Sequence, residues 1–174
     1  MNNSDSLFVK ALNKEKLPTP PVWYMRQAGR YMPEYRKVRK NFKNFLDMCK
    51  NPEVCCELAL QPIEAFKLDA AILFSDILTI PDAFGFGVKF VENEGPVFEN
   101  PVRSISDIKN LNAFDPENLN YVYKAVSNIK NELPEDLPLI GFSGSPWTLA
   151  AYSIEGRSSK DFVKTIDFIK SNKE

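Results

Sequence analysis

Histidine is absent from all 174 residues, so the commonest general acid or base and the commonest metal ligand are both missing from this chain. Any chemistry falls to Asp, Glu, Arg, Lys, Tyr or Cys. Cysteine is scarce: Cys49, Cys55 and Cys56 are odd in number and form no CxxC pair, so neither a zinc spacing nor a disulfide framework is written here. Reduced, buried thiols are expected. No apolar run approaches the ~18 residues of a membrane span, and the opening MNNSDSLFVKALNK lacks the basic region and long apolar core of a signal peptide. The expected location is the cytoplasm, with no membrane contact. A formal net charge of −1 offers no global field for nucleic acid, and there is neither a Walker lysine nor a GxGxxG turn for nucleotide phosphates. With 44% hydrophobic and 26% charged residues, the composition is that of an ordinary globular protein able to bury a core.

Against that nearly neutral background, one segment is conspicuously basic. Arg26, Arg30, Arg36, Lys37, Arg39, Lys40 and Lys43 crowd together with only Glu34 opposing them. Lys37, Lys40 and Lys43 read as a solvated helix face. Arg26 and Arg30 are different, because they flank Gln27, Ala28 and Gly29 in a short loop. Two planar guanidinium groups suit carboxylate or phosphate, and a glycine between them lets backbone amides approach the same ligand. The other reading is a structural loop in which the arginines pair with Glu34, Glu64 or Asp69.

Along the chain, residues 4–13 read as a short helix capped by Ser4 or Asp5, and VWYM (residues 22–25) as a strand ending at the arginine loop. Helices are expected from Pro33, over residues 42–49, and from Pro52 to about Phe66 with Pro62 as the uncertain point. LDAAILF (residues 68–74) is a continuous apolar run, as in a strand buried on both faces of a parallel sheet. Residues 85–101 read as a hairpin or excursion, and Asp115-Pro116 starts a helix to about Leu133. LPLIGFSG (residues 137–144) is the third strand, and Pro146 opens a helix that Gly156 stops. A last helix, from Ser158 or Ser159 to about Ser171, is expected to bury Phe162, Ile166 and Ile169.

Strands alternating with helices make an α/β protein with a parallel sheet. The candidate chemical residues all follow strand ends, which is where a (β/α)8 barrel collects its active site. Three core strands match only the first part of such a barrel, since closure needs eight strands and about 250 residues. Asp76, emerging from an apolar strand, is either held for a purpose or a helix cap for the residues that follow. Tyr152 could donate its phenol to an anion or simply pack in the core.

Two long strings, PVWYMRQAGRYMPEYR and GFSGSPWTLAAYSIEG, resemble the signature segments of the uroporphyrinogen decarboxylase family. DAAILFSDILTIPDAFGFGVKF between them resembles the same family in the right order. The resemblance covers essentially residues 1–174 and implies the N-terminal portion of a single (β/α)8 TIM barrel domain whose C-terminal half is not in this chain. It further implies a homodimer when full length, no metal or organic cofactor, and loss of CO2 from the four acetates of uroporphyrinogen to give coproporphyrinogen. By motif, Arg26, Gln27, Ala28, Gly29 and Arg30 correspond to the substrate loop, Phe45 to an apolar substrate contact, Asp76 to the central aspartate, and Tyr152 to a substrate-contacting tyrosine. Asp76, Arg26, Arg30 and Tyr152 are the implied catalytic set. The family also draws a serine and a histidine from the second half of its barrel, so this chain alone is expected to be inactive. Two other readings stand beside it: a non-catalytic tetrapyrrole- or anion-binding module, and a relative of corrinoid-linked methyltransferases.

Overall fold

The apolar run at residues 68–74 puts only two residues into a ladder: β1 (Ala71–Ile72) pairs in parallel with β4 (Leu139–Ile140), Ala71 opposite Leu139 and Ile72 opposite Ile140. In the computed structural model, residues 5–25, 27–91, 94–111 and 113–172 are described. The chain divides into two compact units, one of residues 1–43, 47–75 and 121–142, the other of residues 44–46, 76–120 and 143–174. Among the described residues no helix is long and apolar enough to cross a membrane.

In the first unit the β1 region is buried, with Ala70, Ala71 and Leu73 shielded from solvent. The reason is two covering helices, α4 (Pro52–Ala65) and α7 (Asn120–Glu132). Cys55, Cys56 and Ala59 of the former and Ala125 and Ile129 of the latter close a core around Leu73. Asn51 caps α4 by accepting the Val54 N–H at 3.1 Å, and Pro52 occupies the first turn, where its missing donor costs nothing. Pro62 lies buried inside the helix without ending it, and the Phe66 N–H closes on its carbonyl at 2.9 Å. A 3-10 turn, Pro116–Leu119, leads into α7, with Asp115 accepting the Glu117 N–H. All three cysteines are buried and in no disulfide, and burial pushes the Cys55 thiol up to about 12. The unit also carries α1 (Leu7–Leu12) and α2 (Pro33–Arg39).

The second unit is built on a hairpin, β2 (Val88–Val91) with β3 (Gly95–Phe98). Its core joins Leu46 from α3 (Phe45–Cys49), Leu78, Phe86, Val88, Phe98, Val102 and Ile154. Helices α5 (Thr79–Ala83), α6 (Ile105–Lys109), α8 (Pro146–Glu155) and α9 (Val163–Ser171) complete it. The chain leaving α8 runs along β3: Phe98 N–H donates to Gly156 O at 2.8 Å, and Val102 N–H to Ser153 O at 2.9 Å. The Arg103 guanidinium covers the C-terminal carbonyls of α8 at Ile154 and Glu155. Glu155, itself buried, accepts both the N–H and the hydroxyl of Thr165, at 2.9 and 3.0 Å, and so fastens α9 to α8.

Several expectations need correction. VWYM forms no strand, for a reason that belongs to the site below. Ser6 caps α1 through the Val9 N–H, in place of Asp5, and Ser4 lies outside the described residues. Helix α3 begins at Phe45, after Asn44 has turned its side chain to the Leu46 N–H. The last helix starts at Val163 because Phe162 adopts a left-handed conformation, φ 49°. It does not bury Phe162, Ile166 and Ile169, which are 40–42% exposed; its buried residue is Thr165, the one that bonds Glu155. Helix α6 went unforeseen, although Ser104 and Asp107 spell a capping box at its start.

Gly156 sits just past α8 at φ 80°, and a Cβ there would stand 3.0 Å from Pro101 Cβ. Gly156→Ala therefore combines left-handed strain with contact against a rigid ring, and should cost about 1–3 kcal/mol in a urea unfolding experiment. An unchanged midpoint would show that the helix end relaxes freely.

Candidate functional site

The loop after Met25 is held to β1 by side chains acting as backbone. Gln27 is 2% exposed; its Nε2 donates to Ala70 O at 2.7 Å and its Oε1 accepts the Ile72 N–H at 3.0 Å. Asp69 does the same upstream, its Oδ2 accepting the Val22 N–H at 2.7 Å while its own N–H donates to Val22 O at 2.8 Å. This is why VWYM is not a strand: Val22 meets Asp69 through one peptide hydrogen bond and one carboxylate, and the edge of β1 opposite β4 is met by the Gln27 carboxamide instead of a run of peptide groups. The loop closes with Met32 N–H on Gly29 O at 2.9 Å and the Tyr31 hydroxyl donating to Gln27 O. A Cβ on Gly29 would come within 3.3 Å of the Tyr31 ring, so the glycine also makes room for that closure.

The cations of the segment divide by partner. Arg36 Nη1 donates to Arg30 O at 2.8 Å and Tyr31 O at 3.2 Å, and Arg39 donates to Phe42 O. Lys37, Lys40 and Lys43 are exposed, as a solvated face requires. The Arg30 guanidinium is exposed and makes neither hydrogen bond nor ion pair among the described residues, so its pairing with Glu34, Glu64 or Asp69 does not form; Asp69 is engaged with Val22. Arg26 lies outside the described residues. Ala28 and Gly29 are half-buried in the loop.

The second unit holds the other candidates around one apolar cluster. Asp76 follows β1 by four residues; its Oδ1 accepts the Leu78 N–H at 2.8 Å and its carbonyl accepts the Thr79 hydroxyl at 3.0 Å. The cap reading needs correction: Asp76 shapes the turn into α5 through the Leu78 N–H, but the helix cap position is Leu78, two residues on. Burial raises its pKa above the usual aspartate value, opposed by the Leu78 N–H. Tyr152 packs partly buried against the cluster that contains Leu46 and Leu78, and its hydroxyl has no hydrogen bond among the described residues. The Phe45 ring meets Phe90 edge-on, centroids 5.0 Å apart, and Phe90 packs on the same cluster. Ser145 starts α8 by accepting the Thr148 N–H at 3.2 Å, which fixes the turn that leads to Tyr152.

Tyr31, Arg36 and Asp69, which hold the arginine loop, were not singled out for that role. Asp69 carries no spacing signal, because its partner and those of Gln27 lie 43–47 residues away in sequence, whereas Tyr31 and Arg36 act on carbonyls within the loop.

The family model described as uroporphyrinogen decarboxylase (URO-D) matches residues 3–174. A uroporphyrinogen decarboxylase of Legionella pneumophila (strain Corby) is 55% identical over 172 residues, which is 98% of this chain and 49% of that protein. One from Dichelobacter nodosus is 58% identical over 159 residues, 91% of this chain and 46% of that protein. The chain thus spans about half the length of the curated relatives it matches. Among solved structures, a methyltransferase from Methanosarcina mazei superposes with TM-score 0.64 at 20% identity, over 86% of this chain and 44% of that one, which is a likeness of fold.

The Asp76 carboxylate costs stability when ionised, because its folded-state pKa is raised. That cost is fully present above the raised value and is relieved as pH falls through it toward the ordinary one. Asp76→Asn keeps an oxygen for the Leu78 N–H and removes the charge, so it should unfold at a higher urea midpoint than the native chain at pH 7, with the gain shrinking by pH 4. Asp76→Ala, which loses the bond, should cost about 1 kcal/mol. A lower midpoint for Asp76→Asn at pH 7 would mean that the charge holds the fold.

Proposed function

The chain belongs to the uroporphyrinogen decarboxylase family, and from that premise we propose that residues 1–174 supply the N-terminal part of a single (β/α)8 barrel that decarboxylates uroporphyrinogen. The observation that carries the reading is Arg30, an exposed guanidinium with neither hydrogen bond nor ion pair among the described residues, on a loop anchored at Gln27, Tyr31 and Arg36. A substrate with eight carboxylates is what such a group suits.

In the proposed reaction a pyrrole is first protonated at the α ring carbon next to the one bearing an acetate, which leaves the acetate-bearing carbon conjugated with the ring cation. The bond from the acetate methylene to its carboxylate then breaks, CO2 leaves, and the electron pair flows into the cationic ring to form an exocyclic methylene. Protonation of that methylene and loss of the proton first added to the ring give the methyl group, and four rounds give coproporphyrinogen. The substrate is thus its own electron sink. Asp76, as carboxylate, accepts the inner pyrrole N–H groups and stabilises the cation as it forms. Arg26 and Arg30 hold the acetate and propionate arms, Tyr152 orients a carboxylate with its unused hydroxyl, and Phe45 offers the macrocycle an apolar contact. Gln27, Ala28 and Gly29 shape the loop and present its backbone. The raised pKa of Asp76 places the acid limb of turnover at higher pH than an exposed aspartate would. The completed protein works as a cytoplasmic homodimer, without metal or organic cofactor, and the chain alone does not turn over.

The test is anaerobic CO2 release from uroporphyrinogen by this chain alone and by this chain joined to the second half of the Legionella relative. The joined protein should turn over, and Asp76→Asn should lower its kcat by about 100-fold or more. Silence of a folded joined protein that still binds uroporphyrinogen would replace the enzyme with a binding module, and turnover indifferent to Asp76 would remove the aspartate from the chemistry.

A further inference from the structure

The Gln27 carboxamide is buried and both of its ends are spent on β1, so its side chain is not available to a ligand. In a parallel ladder, one residue of a strand donates its N–H to the carbonyl before a neighbour's residue and accepts at its carbonyl from the N–H after it. The carboxamide repeats that pattern around Ala71, donating to Ala70 O and accepting from Ile72 N, while the other edge of β1 goes to Pro138 O and Ile140 O. We propose that Gln27 is a positioning residue: its carboxamide replaces a strand neighbour at the edge of β1 and thereby fixes the loop that presents Arg30. The N-terminal end of the loop is held at Gln27, whose carbonyl also takes the Tyr31 hydroxyl. The C-terminal end is held by Arg36 on the carbonyls of Arg30 and Tyr31. Between these anchors Arg30 is presented with its loop already ordered, so an anion does not have to order it on binding. What Arg30 does with that order rests on the function proposed above; the anchoring does not.

Gln27→Glu and Gln27→Met separate positioning from mere packing. A carboxylate at this position accepts from Ile72 N–H but sets a second acceptor against Ala70 O, whereas a protonated carboxyl can donate to it, and burial favours the protonated form. The adjoining charged or titratable groups are Asp69, Arg30, Tyr31 and Arg36, so each variant is compared with the native chain at the same pH. Two quantities are read: amide hydrogen exchange at residues 28–31 and Ile72, and affinity for uroporphyrin, a stable octacarboxylate probe. At pH 8, Gln27→Glu should exchange faster at both places and bind uroporphyrin about tenfold more weakly, which is a difference of about 1.4 kcal/mol. At pH 5 it should return to native behaviour, while Gln27→Met stays impaired at both pH values. If Ile72 loses protection in Gln27→Glu at pH 8 while residues 28–31 and the affinity stay native, the carboxamide does not position the loop. If the two variants behave alike at both pH values, its hydrogen bonds are not the cause. If neither the native chain nor the protein joined to the second half of the Legionella relative binds uroporphyrin, the proposed function fails, and exchange at residues 28–31 still decides whether Gln27 holds the loop.

Discussion

Buried backbone groups must find partners, and residues 69–73 find theirs in three different ways. Ala71 and Leu73 donate to the β4 side, Ile72 donates to a glutamine side chain, and Asp69 exchanges hydrogen bonds with Val22 through its own backbone and carboxylate. Leaving any of these unpaired under α4 and α7 would cost about 1–3 kcal/mol, a large share of the margin of a small unit. The arginine loop inherits its position from that requirement. Its place in the chain is set by what β1 needs, and its exposed cation is what remains once the loop carbonyls have been taken by Tyr31 and Arg36.

The two candidate charged groups stand in opposite relations to the fold. Arg30 is exposed and takes no part in packing, so its charge costs the fold little. Asp76 is placed where burial disfavours its charge, yet its carboxylate also makes the turn into α5. A neutral amide could serve that turn equally well, so the ionisable group carries a cost that turn formation does not explain. Glu155 is the contrasting case, a buried carboxylate fully engaged with Thr165 and devoted to joining two helices. The three residues show that a charge near the core is read by what its oxygens or nitrogens touch, more than by its burial.

Much of the secondary structure was legible, and the legible parts share one cause. Pro33, Pro52 and Pro146 open helices, Gly156 ends one, Asp115 caps the turn before α7, and the Gly- and Pro-bearing stretch after Gly85 makes a hairpin. Each depends on the φ angle or side-chain reach of a residue within a few positions. The failures also share a cause. VWYM has strand composition but Val22 pairs with Asp69 through a carboxylate as well as a peptide group, and α9 has an apolar stripe but docks through Thr165, whose N–H and hydroxyl both reach the buried Glu155 carboxylate.

By itself the sequence determined the helix starts at Pro33, Pro52 and Pro146 and the stop at Gly156, the burial of the thiols, the family through its two long signature strings, and therefore which residues to examine. These are local chemistry and literal text. Tertiary structure decided that Gln27 faces a strand and not a ligand, that Asp69 is spent on Val22, and that burial works against the charge of Asp76. The first two outcomes rest on contacts between segments more than forty residues apart, where no spacing rule operates and only the competition among buried polar groups for partners assigns the pairs.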